Sequence, residues 1–152
     1  QEMGSLDVIA NSSVDVCLMH MQGTPEMMQI NPVYDSVVSE VEQFLTSRVS
    51  ACEKKGINRN RILLDPGFGF GKTQLDNILL YKSMKQFLKL NLPLLIGVSK
   101  KSMVKNIVGE NKDDIIHTSA FLAALAAKNG AQVLRVHNIK ETKKMLNYLE
   151  II

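Results

Sequence analysis

Four short apolar runs, rich in Val, Ile and Leu, recur along the chain and predict four β-strands. They are Val14–Met19, Arg61–Leu64, Leu94–Val98 and Gln132–Val136. Each run is close to continuously apolar and does not alternate strictly with polar residues. This pattern is typical of parallel strands that are buried on both faces.

Stretches with helical periodicity lie between and after these runs. The predicted helices are Tyr34–Lys55, Leu75–Leu88, Ser102–Val108, Ile115–Asn129 and Ile139–Leu149. Residues 1–13 predict a further helix that leads into the first strand. Gly130 follows the Ala-rich helix as a stop signal, and Asn138 is a candidate N-cap for the last helix. The alternation of strands and helices indicates an α/β fold with a parallel sheet.

Two architectures fit this alternation. A complete (β/α)8 barrel needs about 250 residues. A barrel interpretation therefore takes residues 1–152 as the C-terminal portion of a (β/α)8 (TIM) barrel domain, about four βα units, with the N-terminal half absent from the chain. A doubly wound sheet of four strands would need no strands or helices beyond those in this chain. The pattern alone does not choose between them.

Composition and charge exclude several classes of protein. The chain has 152 residues, of which 45% are hydrophobic and 22% charged, and this predicts one globular unit. The net charge of +3 is small and the lysines are scattered, so nucleic-acid binding is not supported. No apolar run approaches the roughly 20 residues of a membrane helix and no signal peptide is recognisable, which favours a cytoplasmic protein. Cys17 and Cys52 lack metal or redox spacing and are predicted to be reduced packing residues.

Polar side chains lie at, or just after, the end of each predicted strand. They are His20, Asp65, Lys101, Arg135 and His137. The carboxyl ends of parallel strands build the binding sites of α/β folds. We therefore expect these residues to face one pocket.

The segment after the second strand reads DPGFGFGK. Asp65 is separated from the next helix by glycines, so an interpretation as a helix cap is the weaker one, and its carboxylate can accept paired N–H donors of a heterocycle. A phosphate-binding loop is not predicted, because Pro66 stands where that motif needs glycine. The segment predicts a flexible loop. We expect Phe70 to contact a ligand, whereas Phe68 is either a ligand contact or a core anchor.

Lys101 and Ser102 begin a helix directly after the third strand. The Ser102 hydroxyl and the free N–H groups of the first turn can hold a carboxylate or a phosphate. A lysine at a helix N-terminus opposes the helix dipole. This cost favours a functional role for Lys101.

Arg135 and His137 lie two residues apart, on the same side of the end of the fourth strand. A guanidinium and an imidazole together form a good anion site. The structural alternative is that Arg135 pairs with a carboxylate such as Asp65 or Glu141.

Four segments together resemble the dihydropteroate synthase family. They are CLMHMQG at Cys17–Gly23, LLDPGFGFGK at Leu63–Lys72, SKKS at Ser99–Ser102 and RVH at Arg135–His137. This family joins p-aminobenzoate to 6-hydroxymethyl-7,8-dihydropterin diphosphate in folate biosynthesis. It usually requires magnesium, generally forms homodimers and is the target of sulfonamide drugs. The resemblance implies the C-terminal half of a pterin-binding barrel.

The resemblance also implies roles for individual residues. Asp65, Lys101 and Arg135 would be the catalytic set. The substrate-binding set would be Met19, Asp65, Gly69, Phe70, Gly97, Lys101, Ser102, Arg135 and His137. Within it, Asp65 and Lys101 would bind the pterin, in a slot shaped by Met19 and Gly97. Phe70, Lys101 and Ser102 would line the p-aminobenzoate site, and Arg135 and His137 would hold the diphosphate.

The chain departs from the family pattern in two respects. Lys100 stands where the family commonly has arginine, and the family's N-terminal loops and strands have no counterpart before residue 1. The resemblance places the magnesium ligands in that part, so none is expected in this half, and the chain alone is expected to be inactive. Alternative interpretations are a related pterin-binding barrel such as a methyltetrahydrofolate methyltransferase, a non-catalytic half-barrel subunit that dimerises, and a small phosphate-binding flavodoxin-like domain.

Overall fold

The computed structural model describes residues 4–151, which form one parallel sheet covered by helices. The strands are β1 (Val16–Met19), β2 (Ile62–Asp65), β3 (Leu95–Ile96) and β4 (Val133–Leu134). β1 pairs with β2 and β3 pairs with β4, and a parallel bridge between Leu64 and Leu94 joins the two pairs. The spatial order is therefore β1-β2-β3-β4, the same as the order in the chain.

The described part of the chain contains seven α-helices. They are α1 (Ser5–Ala10), α2 (Val37–Lys54), α3 (Gln74–Lys82), α4 (Met84–Phe87), α5 (Ser102–Val108), α6 (Lys112–Lys128) and α7 (Ile139–Ile151). Short 3-10 turns occupy Arg59–Arg61 and Leu88–Leu90. None of these helices is both long enough and apolar enough to cross a membrane.

Most predicted elements are confirmed, with changed boundaries. α6 begins earlier than predicted because the Asn111 side chain caps its first turn by accepting from the N–H groups of Asp113 and Asp114. The predicted helix Leu75–Leu88 is wrong as one piece, because the chain turns at Ser83 and continues as α4. β3 and β4 are shorter than predicted, since the last hydrogen bond between them joins Arg135 N–H to the Ile96 carbonyl.

The strand order decides between the two architectures left open by the pattern. A doubly wound sheet reverses its strand order at a switch point, whereas here each strand lies beside the next one in the chain. Successive helices also pack on one another, α2 on α3, α3 on α5 and α6 on α7. The structure therefore has the arrangement of about half of a (β/α)8 barrel.

The core lies between the sheet and the helices. Side chains such as Leu45, Leu64 and Phe87 are fully buried there. The opposite face of the sheet is open within residues 4–151, so Cys17 and Val133 are exposed. The prediction that every strand is buried on both faces is thus wrong for β1 and β4. Cys17 is not the packing residue that the sequence predicts either, because it is exposed while its neighbour Leu18 is buried.

Candidate functional site

Asp65 ends β2 and is almost completely buried, with 1% of its surface exposed. One carboxylate oxygen, Oδ1, accepts a hydrogen bond from Gly67 N–H at 2.8 Å. Burial raises the pKa of Asp65, while the bond from Gly67 and the cations Arg135, Lys101 and Lys72 act in the opposite direction. Asp65 does not cap the next helix, because Thr73 and Asp76 form a capping box at the start of α3.

Arg135 follows β4 and reaches across the end of β3 to Asp65. Its Nη2 lies 3.4 Å from Asp65 Oδ2, so the pairing considered from the sequence is present as a long ion pair. The guanidinium lies directly on Gly97, where an added Cβ would stand 3.1 Å from Arg135 Nε. The side chain of Arg135 is 56% exposed. The absence of a side chain at Gly97 thus leaves space for the guanidinium. The exposed donors of Arg135 remain accessible to a ligand.

Lys101 occupies the N-cap position of α5 and turns its side chain back over the loop that follows β2. Its ammonium donates to the Phe68 carbonyl and lies 4.5 Å from the centre of the Phe70 ring. Burial lowers the pKa of Lys101 to about 8, with Asp65 opposing and Arg135 adding to the decrease. Lys101 therefore contacts Phe70 directly and is coupled to both Asp65 and Arg135.

The other predicted residues lie around this group at different depths. Ser102 is exposed on the first turn of α5 and makes no hydrogen bond to the other predicted site residues. The ring nitrogen Nδ1 of His137 lies 3.0 Å from Ser99 Oγ, which fixes the imidazole beside the end of β3. Met19 stands opposite Asp65 in the β1–β2 register and lines a cavity of about 500 Å³ beside β1.

The glycine loop, defined as Gly67–Gly71, is held by side chains at every carbonyl. Lys72 Nζ donates to Gly67 O at 2.9 Å and Phe70 O at 3.0 Å, Lys101 Nζ to Phe68 O, Gln29 Nε2 to Gly69 O at 2.6 Å, and Tyr34 Oη to Gly71 O at 2.6 Å. The glycine content from which the sequence predicts a flexible loop takes no account of these donors from elsewhere in the chain.

The two phenylalanines of this loop have different environments. Phe68 is fully buried and packs edge-on against Tyr81. Of the two roles that the sequence allows for Phe68, ligand contact or core anchor, the structure therefore shows the core anchor. Phe70 is only partly buried and lies beneath the Lys101 ammonium. Of the two rings, Phe70 is the one that a ligand can contact.

Sequence reasoning missed Lys72 as a site residue. Its side chain is buried at 5% exposure, and Nζ lies 2.9 Å from His20 Nδ1. Burial lowers the pKa of Lys72 to about 7, with Asp65 opposing and Lys101 adding to the decrease. Burial and the Lys72 charge also lower the pKa of His20 to about 4, so this imidazole is neutral near pH 7 and accepts from Lys72.

Asn77 was also missed, although it fixes the glycine loop to α3. Its Oδ1 accepts from Gly69 N–H at 2.7 Å, and its Nδ2 donates to the Thr73 carbonyl at 2.7 Å. The residue is buried at 1% exposure. The sequence signal for Asn77 is a polar residue at a buried position of a helix. That position can be recognised as buried only once the fold is known.

The described residues do not form a metal site by themselves. Within residues 4–151 there is no group of three or more His, Cys, Asp or Glu side chains that could hold a metal ion. Asp65 is surrounded by the cations Arg135, Lys101 and Lys72, whose positive charges would oppose the binding of Mg²⁺ beside it.

Comparison with known proteins places this geometry in a family. A sequence model described as pterin binding enzyme matches residues 1–137. The chain is 41% identical over 149 residues to the dihydropteroate synthase of Escherichia coli K12, covering 98% of this chain and 53% of the relative. It is 42% identical over 154 residues to that of Neisseria meningitidis serogroup B, covering 98% and 54%.

Solved structures of dihydropteroate synthases resemble this chain in fold as well. The Yersinia pestis dihydropteroate synthase in complex with a sulfonamide drug superposes with a TM-score of 0.94 at 40% identity, covering 99% of this chain and 55% of that one. The Xanthomonas albilineans enzyme in complex with 7,8-dihydropteroate gives 0.89 at 38% identity, covering 99% and 55%. The chain spans about half the length of the relatives it matches and has the fold of about half of their barrel. The chain belongs to the pterin binding enzyme family.

Proposed function

We propose that the full-length protein containing this chain is a dihydropteroate synthase. In this reaction p-aminobenzoate and 6-hydroxymethyl-7,8-dihydropterin diphosphate give 7,8-dihydropteroate and diphosphate in folate biosynthesis. The observation that carries the proposal is the convergence of buried Asp65 with Arg135, Lys101 and Phe70 at the carboxyl ends of three adjacent strands. Relatives named dihydropteroate synthase support the same activity.

The resemblance to the family implies several substrate contacts, and they suit the chemistry of these groups. Asp65 would accept N–H bonds from the amino-pyrimidine edge of the pterin, with Lys101 at its other polar edge and Met19 and Gly97 shaping the slot. Phe70 would be a flat contact for the p-aminobenzoate ring.

The remaining predicted residues would bind the charged groups of the two substrates. Ser102 and the start of α5 would meet the carboxylate of p-aminobenzoate. Arg135 and His137 would bind the diphosphate, Arg135 through its exposed donors. Gly69 would contribute by leaving space for the Lys101 side chain, because an added Cβ would stand 3.2 Å from Lys101 Cδ.

The proposed mechanism needs no protein nucleophile. The bond between the pterin methylene carbon and the diphosphate oxygen breaks, the amine nitrogen of p-aminobenzoate forms a bond to that carbon, and a proton leaves the nitrogen to solvent. Arg135 would stabilise the negative charge that develops on the leaving diphosphate. Asp65 would stabilise the positive charge that spreads into the pterin. The glycine loop would hold the p-aminobenzoate ring so that its amine nitrogen is in line to attack the pterin methylene carbon.

Three further features belong to this proposal. The resemblance to the family also implies magnesium, whose protein ligands would lie outside residues 4–151. The protein would act as a homodimer, with contacts through the C-terminal helices. Its site of action would be the cytoplasm.

The proposal is tested by changing Asp65 to Asn in the full-length protein. The substitution keeps the size of the side chain but removes the negative charge and turns one acceptor into a donor. We expect calorimetric binding of the pterin diphosphate to weaken at least about a hundredfold, equivalent to about 2.7 kcal/mol. Asp15→Asn, on an exposed residue before β1, is the matched control and should bind normally. Unchanged binding in Asp65→Asn, or no dihydropteroate formed by the wild-type protein, would contradict the proposal.

A further inference from the structure

Lys72 differs from the other side chains that hold the glycine loop, because it donates to two of its carbonyls at once. A lysine ammonium has three N–H donors and no acceptor. Three acceptors surround Lys72 Nζ, namely Gly67 O at 2.9 Å, Phe70 O at 3.0 Å and His20 Nδ1 at 2.9 Å. The ammonium is therefore fully coordinated inside the protein.

The third acceptor connects the loop to the neighbouring strand. His20 follows β1, and its ring packs edge-on against Phe44 of α2, with centroids 5.0 Å apart. Its backbone N–H donates to the Asp65 carbonyl. Lys72 thus fixes the loop after β2 to an imidazole that packing holds in place.

The two loop residues that Lys72 binds, Gly67 and Phe70, depend on it to different degrees. Gly67 lies against the backbone of His20 so closely that an added Cβ would stand 1.8 Å from the His20 carbonyl oxygen, and its N–H is bonded to Asp65. The Phe70 carbonyl has Lys72 as its hydrogen-bond donor. Loss of the Lys72 amine would therefore release Phe70 more than Gly67.

We propose that Lys72 is a positioning residue that fixes the glycine loop so that Phe70 stays beneath Lys101 and presents its ring to the acceptor substrate. The identity of that substrate, p-aminobenzoate, rests on the function proposed above. The positioning itself does not, because it follows from three hydrogen bonds and the burial of Lys72. Lys72 would act through Phe70, because protein acceptors already take up its three donors.

The first test is hydrogen–deuterium exchange on the full-length protein with Lys72→Met, which keeps the length of the side chain and removes its donors. We expect amide exchange in Gly67–Gly71 to accelerate at least about tenfold, while α6 stays protected as in the wild type. Lys82→Met, on an exposed lysine of α3, is the matched control and should leave the loop unchanged. Unchanged loop exchange in Lys72→Met would overturn the proposal.

The second test separates positioning from a purely structural role. In folded Lys72→Met, the KM for p-aminobenzoate should rise at least about tenfold and the KM for the pterin diphosphate should change much less. Equal KM values to wild type for both substrates would overturn the link to Phe70. If the wild-type protein has no synthase activity, the proposed function fails while the exchange experiment still decides whether Lys72 holds the loop.

A milder pair of substitutions serves if Lys72→Met does not fold. His20→Leu removes one acceptor and leaves the two carbonyl bonds of Lys72, so loop exchange should increase by a smaller factor. His20→Asn places an amide oxygen near the position of Nδ1 and should restore protection close to that of the wild type. Equal exchange in both variants would overturn the role of this contact.

Discussion

At the scale of single residues, the candidate site is one buried carboxylate facing three cations. Arg135, Lys101 and Lys72 each favour the ionised form of Asp65, while burial opposes it. Burial also lowers the pKa of both lysines, and their mutual repulsion adds to the decrease for Lys72. Positive charge held in this way attracts an anion, because an anionic ligand relieves the repulsion among the cations. A diphosphate ester is such a ligand.

A prediction at this scale concerns His20 and acid stability. Its pKa is about 4 in the folded protein and 6.5 ordinarily, so between these values the unfolded chain binds the extra proton. The contribution of His20 to stability is fully present above pH 6.5 and is lost as the pH falls towards 4. The loss is at most about 3 kcal/mol. Urea unfolding at pH 7.5 and pH 4.5 measures it.

The control for this prediction is His20→Asn, which has no titrating group at the same position. Other carboxylates also titrate in this range, so the difference between the two proteins isolates His20. We expect the free energy of unfolding to fall more steeply with acid in the wild type than in the variant. Parallel pH dependences would show that His20 titrates normally in the folded state.

At the scale of elements, the turn from β2 into the glycine loop depends on a close approach between two backbones. Gly67 has φ of 72° and leaves no space for a side chain beside the His20 carbonyl oxygen. Gly56 after α2 has a similar φ of 80°, but an added Cβ there meets nothing within 4 Å. These two glycines share the backbone conformation and differ in their surroundings.

Substituting alanine at each position separates the two effects. Gly56→Ala should lower the free energy of unfolding by about 1 kcal/mol, the cost of a left-handed conformation. Gly67→Ala should lower it by at least about 3 kcal/mol, because the chain at His20 must also move. Denaturant titration of both variants measures the difference. Similar losses would mean that the contact with His20 relaxes easily.

The elements that the sequence predicts well are those in which local periodicity and packing agree. The predicted helix Ser102–Val108 is α5, and all four strands are present. The break at Ser83 could not be predicted, because the apolar period continues across it from Leu80 to Met84 and Phe87. The early start of α6 was missed because its first turn is polar and is fixed by a cap.

The site residues could be predicted where a polar side chain follows the end of a strand. Asp65, Lys101 and Arg135 each follow an apolar run, and the parallel topology brings such positions together. Lys72 and Asn77 could not be recognised in this way, because neither follows a strand. Their roles arise from burial against a loop whose path depends on the fold of the whole sheet.

At the scale of the whole molecule, the sheet presents two outer strands. Within residues 4–151 no strand pairs with the outer edge of β1 or with that of β4. In a closed barrel each edge would meet a neighbour. Unpaired N–H and C=O groups beside exposed apolar side chains such as Val133, 38% exposed, are a template for association with other chains.

This geometry predicts that the 152-residue chain, produced alone, self-associates at micromolar concentration. Sedimentation velocity over a series of concentrations would show a rising average mass, and the chain would form no dihydropteroate. Val133→Lys places a charge on the exposed edge strand β4 and should shift the distribution towards the monomer. Ser50→Lys, on the exposed surface of α2, adds the same charge away from the edges and should leave association unchanged. A wild-type chain that stays monomeric at all concentrations would show that the open edges are protected in solution. Equal effects of Val133→Lys and Ser50→Lys would show that net charge alone controls the association.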